Sequence, residues 1–132
     1  MASGLSTAER NRYLTLNYKT NTVYAAACTV DPADAAVMSG KEATGSAYAR
    51  TVIVFNDAAA AGTISNTTAV EFPAASGGNW GDISHLAICT TDVEDADTCI
   101  ASGPLTATKT IDDGDQLVFA IGNIDVAIAV QA

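Results

Sequence analysis

The chain has 132 residues, 15 of them acidic and 6 basic for a formal charge of -9, and it is 48% hydrophobic but only 6% aromatic. Nucleic acid and anionic membrane surfaces would repel such a chain, and no segment approaches the roughly 18 consecutive apolar residues of a membrane helix. The length suits one domain, whose core Ala, Thr, Val, Ile and Gly must largely fill.

Residues 1–21 read as an arm and a helix. Ser6-x-x-Glu9 forms a capping-box pattern, and Ala8 to Lys19 follows without Gly or Pro. Leu14 and Tyr18 lie four apart and share a face, with Leu5 or Tyr13 nearby, and that face is expected to dock on the rest of the domain or on a neighbouring subunit. Met1 to Leu16 holds Glu9, Arg10 and Arg12 and no apolar stretch of signal-peptide length, so synthesis in a cytoplasm is expected.

From residue 22 to 132 the pattern changes to short β-branched and small-residue runs punctuated by Gly, Pro, Asn and Asp. Strands are expected at Thr22 to Thr29, Ala49 to Phe55, Ala69 to Phe72, Ile83 to Cys89, Cys99 to Leu105, Gln116 to Ile121 and Ile124 to Val130, with a short eighth near Thr63. In the last, Ile124, Val126, Ile128 and Val130 alternate with Asp125, Ala127 and Ala129, the period of a strand with one buried face. No helical segment separates the strands, so the fold class is mainly β: a single antiparallel β-sandwich of about seven or eight strands with one N-terminal helix. Asp31 to Ser46 is the longest irregular segment, and loops of that length are usually functional or packed by a partner.

After the N-terminal helix, several elements stand in order: Thr22-Val23-Tyr24, Thr29-Val30-Asp31-Pro32, Glu42-x-x-Gly45-x-x-Tyr48-Ala49-Arg50, Ala69-Val70-Glu71-Phe72-Pro73, Asn79-Trp80-Gly81-x-Ile83-x-His85, Gly103-x-Leu105, Lys109-Thr110-Ile111 and Gly114-Asp115-x-Leu117-x-Phe119. Together they resemble the small tailed-phage virion proteins often labelled tail fibre proteins, some of which resemble capsid decoration or cement proteins. The likeness covers nearly the whole chain. It implies a structural role in a virion built in the host cytoplasm. Cys89 and Cys99 depart from that pattern, which usually carries an aromatic and a large aliphatic residue there.

Those two cysteines flank the acidic segment Asp92 to Asp97, and a hairpin around it would bring them face to face. They are a candidate disulfide, set against the reading that both are small buried apolar residues. Cys28 is expected in the core. The Asp-rich turns at Asp92 to Asp97 and Asp112 to Asp115 lack an EF-hand pattern and read as solvated turn residues rather than a calcium site. His85, the only histidine, has no nucleophile elbow, zinc motif or phosphate loop for company, and a glycosidase would need two carboxylates facing across a cleft at about 5 to 9.5 Å. No catalytic residue, metal or cofactor is therefore expected.

The candidate interface residues are Leu14 and Tyr18 on the helix, Tyr48 and Arg50 on one side of an extended segment, and Trp80. Core burial is the alternative for Trp80, and a solvated Arg50 beside a strand-opening Tyr48 for the pair. Small side chains bury little area each at about 25 cal/mol per Å2, so such a core leaves room for stabilisation by neighbouring subunits. The resemblance implies a capsid decoration protein whose partners are the major capsid protein and copies of itself, with neither nucleic acid nor membrane. The alternative is a tail-associated protein, in a fibre or at the tail tip.

Overall fold

The computed structural model describes residues 5–33, 37–45, 47–57 and 62–128. The N-terminal arm 1–4, parts of the long irregular segment (34–36 and 46) and Ala129 and Val130 of the expected last strand lie outside them.

Helix α1 spans Thr7–Leu14, and the Ser6 side chain caps it by accepting the Glu9 N–H at 3.2 Å. Only this half of the capping box is made. The Glu9 carboxylate turns instead to Arg12, gripping its guanidinium at 2.9 and 2.7 Å. From Thr15–Thr20 the helix widens to a π-helical turn. A π turn rotates less per residue than an α turn, which cancels the sideways drift of the i, i+4 row. Arg10, Leu14 and Tyr18 thereby stay aligned and buried on one face. Leu5 and Tyr13, expected beside that face, remain 53% and 49% exposed, and Arg10 takes the third place. Its Nη1 donates to the Ile128 carbonyl at 3.3 Å, and Asn11 accepts the Gly62 N–H at 3.0 Å, so α1 docks on the last strand region and its neighbour.

Among the described residues eight strands follow, in all the expected places: β1 Val23–Cys28, β2 Thr51–Ile53, β3 Thr63–Ser65, β4 Val70–Glu71, β5 Gly81–Cys89, β6 Cys99–Ile111, β7 Val118–Phe119 and β8 Asp125–Ala127. All pairings are antiparallel. A four-stranded sheet runs in the order β2-β1-β5-β6, and two ribbons, β3-β8 and β4-β7, pair separately. The arrangement is mainly β and sandwich-like, with the principal core between the sheet and the ribbons.

That core contains Val23, Ala25, Ala27, Ile83, Leu86 and Ile88 from the sheet, with Ile64, Val70, Phe72, Leu117 and Ile124 from the other layer. The reverse face is covered too: Ala26, Cys28, Ala87 and Cys89 form a second apolar cluster with Met38 from the long irregular segment. Two-sided burial explains why β1 reads Val-Tyr-Ala-Ala-Ala-Cys without polar alternation.

The register breaks between Ile83 and His85, which face Lys109 and Pro104 respectively. Ser84 therefore stands against the whole stretch Leu105, Thr106, Ala107 and Thr108, which bows outward. The break also shifts the parity of β5, so that Ile83 and then Leu86 and Ile88 all enter the same core.

Candidate functional site: a buried ionic knot and an open strand edge

The two outer boundaries of the main sheet are finished differently. Beyond the short β2, the edge of β1 is taken over by the segment around Glu42. Thr29 N–H donates to the Lys41 carbonyl and Ala43 N–H to the Ala27 carbonyl, both at 2.9 Å, and Glu42 bridges Cys28. The Ala27 N–H goes to the Tyr48 hydroxyl at 3.0 Å.

This places the Glu42 carboxylate where three segments meet. Its Oε1 accepts from Arg50 Nε at 2.6 Å and from the Tyr48 hydroxyl at 3.3 Å, while its Oε2 accepts the Asp95 N–H at 2.7 Å. Arg50 spends its remaining donors on the hairpin loop between β5 and β6: Nη1 reaches the Thr91 carbonyl and Thr98 Oγ1 at 3.0 and 3.1 Å, and Nη2 the Ala96 carbonyl at 2.9 Å. Both side chains are 0% exposed. A buried pair is tolerated only when its remaining polar sites are also satisfied, and here they are. Burial is the largest single influence and works against the Arg50 charge, but the hydrogen bond to Glu42 together with the nearby Cys89, Glu42 and Tyr48 groups outweighs it, and the Arg50 pKa lies above the ordinary value. Burial, reinforced by the Glu42 charge, pushes the Tyr48 phenol upward.

Trp80 completes the knot. Its indole meets Tyr48 edge-on at 5.2 Å and Phe72 at 6.2 Å, and Phe72 continues to Phe119 at 6.4 Å. A Cβ on Gly45 would collide with the Trp80 ring and the Asn79 carbonyl. The spacing Glu42-x-x-Gly45-x-x-Tyr48-x-Arg50 thus has a physical content: carboxylate, indole clearance, edge cap and counter-ion of one assembly.

The candidate interface residues are consequently interior ones. Leu14, Tyr18, Tyr48, Arg50 and Trp80 are all buried within the chain itself. Leu14 and Tyr18 serve the helix's own docking, with Tyr18 against Phe55 at 5.8 Å. Arg50 is neither solvated nor turned outward, because Glu42 holds it. Glu42 was missed as a site residue, although it opens the same short motif. The described part of the long irregular segment also packs on its own sheet, through Pro32, Met38, Glu42 and Ala43.

Cys89 and Cys99 stand opposite each other in register as free thiols, with Cys99 packed against the apolar cluster that holds Cys89 and its Sγ donating to the Ala101 carbonyl at 3.1 Å. Cys99 is half-buried, and the neighbouring Cys89 thiol pulls its pKa down to about 7, whereas the same neighbour and burial push Cys89 upward. Cys28 lies in the core, where burial and then the Glu42 charge push its thiol up to about 12.

The aspartates organise turns. Asp97 Oδ1 accepts the Met38 N–H at 2.7 Å, Asp113 Oδ1 accepts the Gly77 N–H at 3.0 Å, and Asp115 Oδ2 accepts the Asp112 N–H at 3.0 Å. Among the described residues, no three His, Cys, Asp or Glu side chains converge as a metal site. His85 Nδ1 lies 2.8 Å from Ser84 Oγ, and its Nε2 is 3.9 Å from Asp31. Ser84 Oγ also donates to the Thr29 carbonyl at 3.3 Å, so the group fastens β5 to the end of β1.

The opposite boundary, β6, has no further strand beside it among the described residues. A groove of about 820 Å3 runs between β6 and the β7 and β8 region, with Leu86, Ile88, Leu105, Phe119 and Ile124 among its lining. Along the start of β6, residues alternate between half-buried and exposed. Ile100, Val118 and Ile121 are exposed nearby, Ile121 to 66%.

A profile of the family described as Podophage GP4 fiber I protein gp80 matches residues 11–127. No curated protein matches the chain.

Proposed function

Because the chain belongs to the family described as Podophage GP4 fiber I protein gp80, a family of phage virion structural proteins, we propose that it is a non-enzymatic subunit of a tail fibre that assembles with copies of itself. The family's description carries this reading, since it names a fibre. It favours the tail-associated alternative over capsid decoration, for which no separate observation speaks.

Two features of the chain support an assembly role. An unpaired strand edge beside partly buried apolar residues is a surface that proteins normally cover. On β6 that edge is continuous with the groove and with exposed Val118 and Ile121. The knot on the other side, by contrast, already satisfies its own polar groups and offers a partner little.

Gold-labelled antibody on purified particles tests the location directly. Label at the tail, with densitometry giving a few to a few dozen copies per particle, is expected for a symmetric fibre. Label over the head at hundreds of copies would overturn the fibre reading in favour of decoration, with the major capsid protein as partner. Light scattering on the purified protein tests self-association.

A further inference from the structure

We infer that Cys89 and Cys99 are an oxidation site: a pair poised to form a disulfide that clasps the loop held by the Glu42–Arg50 knot. The geometry points there first. The Thr90 N–H donates to the Thr98 carbonyl at 3.0 Å, immediately beyond the Cys89/Cys99 pair. The cysteines therefore face each other at a non-hydrogen-bonded position of the antiparallel ladder, beside a register shift between Ile88 and Cys89, and in a regular ladder opposed Cα atoms at such a position lie about 4.5 Å apart. That separation falls inside the window a disulfide spans, about 4.4–6.8 Å.

Accessibility assigns the two thiols different parts. Cys99 is half-buried and Cys89 fully buried, so an oxidant from solution meets Cys99 first. Its depressed pKa provides thiolate near neutral pH. With a low-molecular-weight disulfide such as oxidised glutathione, the Cys99 thiolate attacks one sulfur, forming a mixed disulfide and expelling one thiolate. Cys89 then gives up its proton and attacks the Cys99 sulfur from the interior side, expelling the second thiolate outward. Two protein thiols lose two electrons, and one small disulfide becomes two thiols. Reduced conditions inside a cell keep the pair open, and release into an oxidising medium closes it.

The loop so closed is the one whose carbonyls at Thr91 and Ala96 hold Arg50 and whose Asp95 N–H holds Glu42. Cys28 serves as an internal control, since it is buried and its thiol is pushed up to about 12.

The test uses the purified full chain, reduced and then equilibrated with oxidised glutathione. Intact mass should fall by two hydrogen atoms, and peptide mapping after alkylation under denaturing conditions should join Cys89 to Cys99 with Cys28 alkylated. The oxidised protein should melt roughly 5–10 °C higher than the reduced one. Cys89→Ala should accumulate a stable glutathione adduct at Cys99, while Cys99→Ala should leave Cys89 unmodified. Alkylated Cys89 and Cys99 in the oxidised wild type, a bond that includes Cys28, or an oxidised form that melts no higher would overturn the proposal.

Discussion

The main sheet has two edges, and the chain treats them in opposite ways. Beside β1, the Glu42 segment, Tyr48 and the hairpin loop after β5 close the edge with a buried ion pair, an aromatic cluster and backbone hydrogen bonds. Beside β6, the strand bows at Leu105 to Thr108, and its outer ladder is left unpaired among the described residues. The closed side spends its polar groups on folding; the open side keeps them available. Stability is thereby concentrated at one edge of the sheet.

Substitutions separate the two edges, and Arg50→Ala should have the largest effect. It strands the Glu42 carboxylate in an environment where it is 0% exposed, and removing one partner of a buried pair costs about 3–5 kcal/mol. Urea denaturation should show this loss, and a cost below about 1 kcal/mol would mean the pair is solvated in solution.

Alkali should weaken the closed side next. Cys28 titrates higher in the folded chain than an ordinary thiol near 9, rising to about 12. The folded state then holds its proton more tightly than the unfolded state, so this contribution is complete below pH 9 and is lost as pH rises towards 12. The full effect is on the order of 4 kcal/mol. Cys28→Ala should make the wild-type stability profile less steep across that range, leaving the slope contributed by the raised Tyr48 and Cys89 groups.

Gly45→Ala should cost about 1–3 kcal/mol, because the added methyl forces the Trp80 ring aside. Tyr48→Phe should fall in the same range through the Ala27 N–H it leaves unsatisfied. The open side should respond the other way. Ile121→Lys and Val118→Lys should move stability by no more than about 0.5 kcal/mol while lowering the self-associated mass measured by light scattering. If they unfold the protein instead, the comparison between the edges fails.

Much of this was legible in the sequence because turns and strands obey local rules. Every strand was placed by its flanking Gly, Asn, Asp or Pro, and the alternation from Ile124 to Ile128 matches the observed burial. Lengths were less legible. Gln116 to Ile121 contracts to the two-residue β7, while β6 extends to Ile111 because pairing resumes at Lys109 after the bowed stretch. The opposition of Cys89 and Cys99 followed from one hairpin, a short-range inference. Arg50 did not yield to the same logic: its partners Thr91, Ala96 and Thr98 are more than 40 residues away, and alternation says only which side a residue takes, not what waits there.

The Gly45 and Trp80 contact has a practical consequence. The chain contains one tryptophan, and it sits at the heart of the closed edge with its ring against a backbone that has no side chain. Its emission is an intrinsic optical probe of that edge. A change in ultraviolet fluorescence during unfolding or particle disassembly would time the opening of the knot without any attached dye.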